Sequence, residues 1–262
     1  MVRAVPDILA RIVEHKRAEL VRDVARRGEL ERRAADRRDV RDFRGALIAN
    51  PPAIIAEIKQ RSPSKGVLAD EFKPESIARD YLFGGAAALS VLTDREFFQG
   101  SLADLEVARA AVSLPVLRKD FTLDEFHVIE AAAHGADAIL LIAALLDEKE
   151  LRHLRDLAAS YGMATLVEVH DGVELDIALA SGAEIVGVNN RNLHTFQVSH
   201  RTSEELAEKI PAGVLKVSES GIHRRSDIEK LQNAGYQAFL VGEYLMSKTG
   251  EARRAAVKEL RS

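Results

Sequence analysis

The sequence predicts an α/β fold, a (β/α)8 barrel with an N-terminal helical extension. Eight short apolar runs, rich in β-branched residues, alternate with segments of helical periodicity, and glycine often separates a helix from the next strand. Runs that are apolar throughout indicate strands buried on both faces of a parallel sheet, and eight such units in about 210 residues suit a closed barrel. An open, doubly wound sheet is the alternative. Against it, the sequence has neither a Gly-x-Gly-x-x-Gly turn after the first strand nor a Walker-type phosphate loop.

Residues 1–50 precede the first strand and are predicted to form the helical extension. From residue 7 to about residue 27, apolar side chains recur at helical spacing between charged ones. After a polar stretch, Phe43 and Leu47 indicate a short helix that stops before an Asn-Pro-Pro break. We expect a single domain, 1–262, in which this extension packs on the barrel.

The rest of the chain contains the strands and helices of the predicted barrel. The strands are residues 53–58, 87–92, 115–117, 138–142, 165–169, 185–188, 214–217 and 238–241. Helical periodicity is clear at residues 104–112, 148–160 and 226–234. Helices are predicted to end before Gly135, Gly182 and Gly235, since glycine readily adopts the left-handed conformation that closes a helix.

The composition is that of a folded protein and excludes several classes of function. Of the 262 residues, 47% are apolar and 30% are charged, and the net charge of −4 argues against nucleic acid as a partner. Cysteine is absent, which excludes disulfides, thiolate metal sites and cysteine nucleophiles. The start of the chain has no apolar signal core and the longest apolar run, 138–146, is too short to span a bilayer. We therefore expect a cytoplasmic protein that does not bind membranes.

Charged side chains stand at the end of the first strand, where barrel enzymes carry their chemistry. Glu57 and Lys59 are two residues apart, so strand alternation turns both toward the barrel mouth. Burying charges there is costly unless they are paired, and either a catalytic pair or a structural ion pair explains them. The next loop, 60–66, includes Ser62 and cations that suit an anion or a carboxylate, although any exposed turn has similar composition.

Two further strand ends carry candidate acid and base groups. Lys119 shares the inward face with Leu117, and a second lysine near Lys59 predicts a lowered pKa and a general acid. Glu168 lies among apolar residues of strand five and is a candidate base, with a structural role as the alternative. His170 follows it, but the other histidines show no ligand spacing, so no metal is expected.

The last three strands end in residues suited to anions. Arg191, flanked by asparagines, suits two-point contact with a carboxylate, or caps its loop. Strand seven runs into Ser220 and Gly221, and strand eight into Gly242 and Glu243, so small residues let backbone N–H groups approach a ligand. Because these loops are the usual phosphate site of such barrels, the substrate is predicted to be a phosphate monoester.

Seven sequence blocks together resemble the indole-3-glycerol-phosphate synthase family over nearly the whole chain. They are AEIKQRSPSKG at 56–66, LTDREFFQGS at 92–101, LPVLRKDF at 114–121, LVEVH at 166–170, VGVNNRNL at 186–193, VSESGI at 217–222 and FLVGEYLM at 239–246. The resemblance implies ring closure, decarboxylation and dehydration of 1-(2-carboxyphenylamino)-1-deoxyribulose 5-phosphate to indole-3-glycerol phosphate in tryptophan biosynthesis. It also implies that neither a cofactor nor a metal takes part.

The resemblance implies residue roles, carried over motif by motif. Lys119 would be the general acid that protonates the sugar carbonyl, Lys59 would meet the substrate carboxylate and assist dehydration, and Glu57 would hold and tune the lysines. Glu168 would transfer protons during dehydration. The residues implied to orient the anilino carboxylate and the sugar are Asn189, Arg191 and Ser220. Phe98 and Phe121 would contact the anthranilate ring, and Ser62 would contact its carboxylate. Gly221, Gly242 and Glu243 would contact the phosphate.

Two other functions remain open at this point. Another phosphate-binding barrel, such as a sugar-phosphate isomerase, would share the last two loops but would not need the two lysines and Glu168. A catalytically silent barrel that binds a phosphorylated metabolite would bind product without turnover. We expect a monomer or a weak homodimer, and association with other tryptophan-pathway enzymes stays open.

Overall fold

A computed structural model describes residues 7–49, 51–62, 66–67, 72–193 and 195–262 of the chain. Within these residues, eight parallel strands close into a barrel in which each strand pairs with the next in sequence and β8 pairs with β1, Ala53 lying opposite Ala238. The strands are β1 Ala53–Ile58, β2 Ala88–Leu92, β3 Val116–Lys119, β4 Ala138–Ile142, β5 Ala164–Val169, β6 Ile185–Asn189, β7 Leu215–Glu219 and β8 Ala238–Val241. The predicted barrel is therefore confirmed, and the open sheet is excluded. A short antiparallel pair, Arg61–Ser62 with Gly66–Val67, lies in the loop after β1.

Helices precede the barrel and alternate with its strands. They are α1 Asp7–Asp23, a 3-10 turn Val24–Arg26, α2 Arg27–Asp36, α3 Phe43–Ala49, α4 Pro74–Gly84, α5 Leu102–Ala111, α6 Glu125–Ala133, α7 Glu148–Ser160, α8 Gly172–Ala180, α9 Arg201–Ala207, α10 Arg225–Asn233, α11 Glu243–Met246 and α12 Gly250–Arg261. Aspartates cap several starts, and Asp147 forms a reciprocal capping box with Glu150 at α7. Gly135 and Gly182 follow α6 and α8 with φ of 88° each, as predicted for residues that end helices.

The predicted helices and strands recur within a few residues of their expected bounds, but α2 was not predicted. This segment buries only Leu30 and Ala34, one turn apart, and its remaining side chains are mostly charged. Two apolar residues are too few for a periodic signal, and α2 is held instead by tertiary packing beside α6. Among the described residues, no helix is both long and apolar enough to cross a membrane.

Alternate residues of the strands fill the barrel. The inward set forms one apolar cluster, for example Ile55, Leu117, Leu166 and Val217, and the outward set packs beneath the surrounding helices. From α3, Phe43 and Leu47 join the inner cluster beside the strand starts, so this helix closes the amino end of the barrel. The opposite, carboxyl ends of the strands remain open above the apolar interior.

Candidate active site

A cavity opens at the carboxyl ends of the strands. It is lined by every candidate residue from the sequence except Ser62, namely Glu57, Lys59, Phe98, Lys119, Phe121, Glu168, Asn189, Arg191, Ser220, Gly221, Gly242 and Glu243. The side chain of Ser62 and residues 63–65 lie outside the described part of the chain. Barrel closure therefore gathers groups from seven strand ends and their loops around one space.

Lys119 stands at the centre of this cavity between two carboxyl groups. Its ammonium donates to Glu168 Oε2 at 2.9 Å and lies 3.7 Å from Glu219 Oε2. Burial alone would lower the pKa of Lys119, but the charges of Glu168, Glu219 and Glu57 hold it above its ordinary value. The predicted lowering of this pKa was wrong, because nearby carboxylates outweigh the effect of a second lysine. Lys119 is a cation across the neutral range.

Glu219 is a site residue that the sequence reasoning missed. It follows Val217 by two residues, so the alternation that turns Val217 inward also turns Glu219 into the cavity. Its side chain is 2% exposed, and Oε1 has no hydrogen-bond partner among the described residues. Burial, the largest cause, and the charges of Glu168 and Glu57 raise the pKa of Glu219 to about 8 although Lys119 opposes the shift. This carboxyl group therefore holds a proton at neutral pH.

A glycine on the neighbouring strand makes room for Glu219. A Cβ atom at Gly187 would lie 2.1 Å from Glu219 Oε1, so any other residue there would displace the Glu219 side chain from its position. The glycine in the middle of β6 is a sequence signal that a neighbouring side chain needs its space.

Glu168 is held by donors on both carboxylate oxygens. Oε2 accepts from Lys119, and Oε1 accepts from Asn189 Nδ2 at 3.1 Å. Burial would raise the pKa of Glu168, but Lys119 and His170 lower it well below its ordinary value. Glu168 is thus an ionised carboxylate, whereas Glu219 on the other side of Lys119 is protonated.

Glu57 and Lys59 both line the cavity, as their spacing predicted, and they form an ion pair there. The carboxylate of Glu57 also faces Gly242, where a Cβ atom would lie 2.2 Å from Glu57 Oε1. A glycine at the end of β8 is therefore required for Glu57 to occupy this position. The pair is one wall of the site, on the side where β1 and β8 meet.

Amide and hydroxyl groups link the ends of β6 and β7. The Ser220 hydroxyl donates to Asn189 Oδ1 at 2.9 Å, and the same oxygen accepts from the Arg191 backbone at 3.0 Å. Ser220 adopts a left-handed φ of 68°, an unfavourable conformation for a residue other than glycine. The Arg191 guanidinium lies 3.4 Å from Glu243 Oε2 across the cavity. These contacts orient Asn189 so that its amide nitrogen faces Glu168.

Apolar side chains form one wall of the same cavity. Phe98 and Phe121 have ring centroids 6.2 Å apart, and Leu9 and Ile12 of α1 line the same cavity. The sequence indicated that the first helix packs on the barrel but did not indicate that it covers the site. No local signal could show this, since it depends on where α1 docks.

The loops after β7 and β8 approach the cavity through glycine, as predicted. Gly221 has φ of 81°, and a Cβ atom there would lie 2.5 Å from Val198 Cγ1. His200 contacts the Gly221 carbonyl, its Nε2 atom 3.0 Å from the oxygen. Among the described residues, no three His, Asp or Glu side chains are grouped to hold a metal ion.

A family model for indole-3-glycerol phosphate synthase matches residues 9–260 of the chain. The chain belongs to the indole-3-glycerol phosphate synthase family. It is a decarboxylating cyclase, a carbon–carbon lyase of tryptophan biosynthesis that acts on a phosphorylated small molecule. This identification replaces the isomerase and silent-barrel alternatives.

Curated relatives with the same name agree along most of their length. The indole-3-glycerol phosphate synthases of Aromatoleum aromaticum and Albidiferax ferrireducens are 51% and 50% identical over 246 residues, 92% of this chain and 94% and 93% of theirs. That of Burkholderia vietnamiensis is 51% identical over the same share of this chain. The indole-3-glycerol phosphate synthase resemblance of the seven sequence blocks is thereby confirmed.

More distant solved structures share the barrel. An N-acetylmannosamine-6-phosphate 2-epimerase from Clostridium perfringens has a TM-score of 0.61 at 16% identity, covering 76% of this chain and 89% of that one. A thiamine phosphate pyrophosphorylase from Pyrococcus furiosus has a TM-score of 0.61 at 17% identity, covering 84% and 96%. At these identities the likeness shows the fold alone.

Proposed function

We propose that this cavity divides the indole-3-glycerol phosphate synthase reaction among two lysines and two carboxyl groups with opposite protonation. The substrate, 1-(2-carboxyphenylamino)-1-deoxyribulose 5-phosphate, places its anthranilate ring against Phe98 and Phe121. Its phosphate meets the backbone N–H groups near Gly221 and Gly242, beside Glu243. The two phenylalanines follow β2 and β3, whereas the glycine loops follow β7 and β8 on another part of the barrel rim, which supports this orientation.

Polar groups between these ends hold the rest of the substrate. Arg191 and Ser62 contact the anthranilate carboxylate, while Asn189 and Ser220 orient the sugar hydroxyls. The hydrogen bond that Ser220 donates to Asn189 supports a shared role. Arg191 faces Glu243 in the structure, so binding of the substrate carboxylate exchanges one carboxylate partner for another.

Lys119 acts first, as the general acid of ring closure. The ring carbon that carries the carboxylate forms a bond to the ketone carbon, and the carbonyl electron pair takes a proton from the Lys119 ammonium. The ionised Glu168, with Glu57, keeps Lys119 protonated until this moment. The protonated Glu219 carboxyl is the nearest proton source to restore the ammonium. One proton is taken up from solvent in the whole cycle.

Loss of carbon dioxide then needs no added electron sink. Ring closure leaves an iminium-like nitrogen in the substrate, and the electrons of the breaking carbon–carboxylate bond return to it, which restores the aromatic ring. Lys59 is placed to contact the carboxylate before it departs, and Glu57 holds Lys59 in place. The preorganised charges stabilise the developing transition state, the main expected source of rate.

Dehydration completes the indole. Lys59 donates a proton to the departing hydroxyl, and Glu168 removes a proton from the methylene group beside nitrogen. The environments of Glu168 and Glu219 push their pKa values apart, a pattern typical of two carboxyl groups of which one acts as a base and the other as an acid. The position of Lys119 between them is the observation that carries the proposal.

Replacing Lys119 tests this assignment. With substrate and a chelator present, indole fluorescence is expected to rise with the wild type and to rise about 10²–10⁴-fold more slowly with Lys119→Met, since general acid catalysis contributes that much. The matched control, Lys149→Met, changes an exposed lysine of α7 and should keep full activity. Circular dichroism should match for all three proteins. Full turnover by Lys119→Met would contradict its role as general acid.

We further infer that the enzyme works in the cytoplasm as a monomer or weak homodimer, with residues 1–50 part of a single domain. Membership of an amino-acid biosynthesis family supports this location. Large exposed apolar side chains such as Val21, Phe83 and Val173 lie on different helices, which favours weak self-association. Sedimentation velocity at micromolar concentration should show mainly the monomer. A stable dimer at that concentration would contradict it.

A further inference from the structure

His170 lies directly behind the carboxylate that we assign as the base. Its Nε2 atom is 3.3 Å from Glu168 Oε1, and its Nδ1 atom is 2.9 Å from Glu174 Oε2. The three side chains are 13%, 4% and 8% exposed for His170, Glu168 and Glu174. A buried row therefore runs from Glu174 through His170 and Glu168 to Lys119.

The start of α8 holds the outer end of this row. Asp171 caps the helix by accepting from the Glu174 backbone at 2.8 Å, which turns Glu174 back toward the strand. Glu174 Oε2 also accepts from the His170 backbone at 2.8 Å. Glu174 thus holds both the main chain and the imidazole ring of His170.

We propose that His170 is a positioning residue which, as an imidazolium ion held by Glu174, keeps Glu168 ionised and aligned with Lys119 through the reaction. The proposal rests on the assignment of Glu168 as the base. His170 itself lies on the far side of Glu168 from Lys119, so it acts on the substrate only through that carboxylate.

The Nδ1 atom of His170 makes a hydrogen bond with Glu174, whereas its Nε2 atom lies at ion-pair distance from Glu168 without the geometry of a hydrogen bond. A carboxylate beside each ring nitrogen favours a proton on both nitrogens. A metal ligand would instead present a lone pair, so the arrangement favours an imidazolium over a metal site. This agrees with the lack of a metal-holding cluster among the described residues. A protonated His170 between two carboxylates adds one positive charge to a site that contains several carboxyl groups.

The surrounding charges determine the protonation of His170. Glu168 from β5 and Glu174 from α8 face its ring, and Lys119, Asn189 and Glu219 surround Glu168. Burial would lower the pKa of His170, but the two facing carboxylates raise it to about 10. His170 consequently stays charged wherever the enzyme is expected to work.

Direct titration tests the charge without reference to activity. In protein labelled at its histidines, the NMR signal of His170, identified by its loss in His170→Asn, should titrate near pH 10. In Glu174→Gln that titration should move down by about one unit or more, because one carboxylate is gone. A wild-type His170 that titrates near pH 6.5, the ordinary value, would overturn the proposal.

The pH dependence of turnover tests the effect on Glu168. His170→Asn should lower kcat about tenfold at neutral pH because Glu168 is no longer aligned with Lys119. It should also move the acid limb of the kcat profile up by about one unit, with KM changed little. Glu174→Gln should add a basic limb where His170 loses its charge. The control His153→Asn removes an exposed histidine that also pairs with a glutamate, and its profile should equal that of the wild type.

Turnover of Glu168→Gln and His170→Asn separates the role of Glu168 from that of His170. Full turnover by Glu168→Gln would remove Glu168 from the base role, whatever His170 does. Loss of turnover by Glu168→Gln together with a wild-type kcat profile for His170→Asn would overturn the role of His170 alone.

Discussion

Two glutamates beside one lysine have opposite charge states in this site. Glu168 meets Lys119, Asn189 and His170, whose charges and hydrogen bonds favour the carboxylate form. Glu219 is equally buried, but one of its oxygens lacks a hydrogen-bond partner among the described residues and its ionised form would add to the negative charge of Glu168. The difference lies wholly in the surroundings, because the side chains are chemically identical.

The raised pKa of Glu219 should appear in the stability of the enzyme. In the unfolded chain this carboxyl ionises near pH 4.5, whereas in the folded protein it keeps its proton to about pH 8. The folded state therefore binds more protons between these values, so its stability falls as pH rises through that window. In Glu219→Gln this contribution is absent, and the stability of the variant relative to wild type should increase by roughly 1–3 kcal/mol from pH 5 to pH 8.

Urea unfolding of the wild type and Glu219→Gln at several pH values makes this measurement. The test is how the difference in unfolding free energy between the two proteins changes with pH, because any effect of the amide on packing is the same at every pH. If the unfolding free energies of the two proteins change in parallel with pH, Glu219 ionises normally in the folded enzyme.

At the scale of elements, one buried lysine fastens α1 over the site. Lys16 Nζ lies 3.0 Å from Asp94 Oδ2 and 2.9 Å from Asp120 Oδ1. These aspartates accept from the backbones of Phe97 and Phe121, next to the apolar wall of the cavity. Lys16 thus connects the helix that carries Leu9 and Ile12 to the loops after β2 and β3.

Lys16→Met should release this helix while the barrel stays folded. Removing one partner of a buried ion pair typically costs about 3–5 kcal/mol, and this loss would fall mainly on the docking of α1. Amides of α1 should exchange faster with deuterium, and KM should rise about tenfold or more because part of the apolar wall becomes mobile. The control Arg17→Met removes a charge from the exposed face of the same helix. Unchanged exchange and KM in Lys16→Met would show that apolar packing alone holds α1.

At the scale of the whole molecule, the barrel supplies a rigid floor for these groups. Its interior below the site is filled by apolar side chains from all eight described strands, and α3 closes the amino end. Cores of this density resist small displacements, so side chains at the carboxyl ends keep their relative positions. The loops at that end, together with α1, line the cavity in which we propose that the substrate binds.

Ligand binding should therefore stabilise the entire fold. At 100 times its dissociation constant, indole-3-glycerol phosphate should add about 2.7 kcal/mol and raise the Tm by several degrees. Indole-3-glycerol without phosphate, at the same concentration, should raise the Tm far less if the loops near Gly221 and Gly242 bind the phosphate. Equal shifts for both compounds in thermal denaturation would argue against these loops.

Sequence alone determined the barrel, because strand and helix periods are local and eight of them repeat along the chain. Alternation also predicted the inward direction of Glu57, Lys59 and Lys119, and the position of Glu168 among apolar residues of a strand indicated its role. The same rule would have found Glu219, which was overlooked beside Ser220.

Only the tertiary structure decided the charge states and the covering of the site. The pKa of Lys119 depends on carboxylates from β1, β5 and β7, and the coverage of the cavity depends on a buried ion pair between α1 and two loops. Periodicity describes which way a side chain points from its own strand or helix. Electrostatic energy depends on the distance to groups from other elements, and those distances exist only once the barrel has closed.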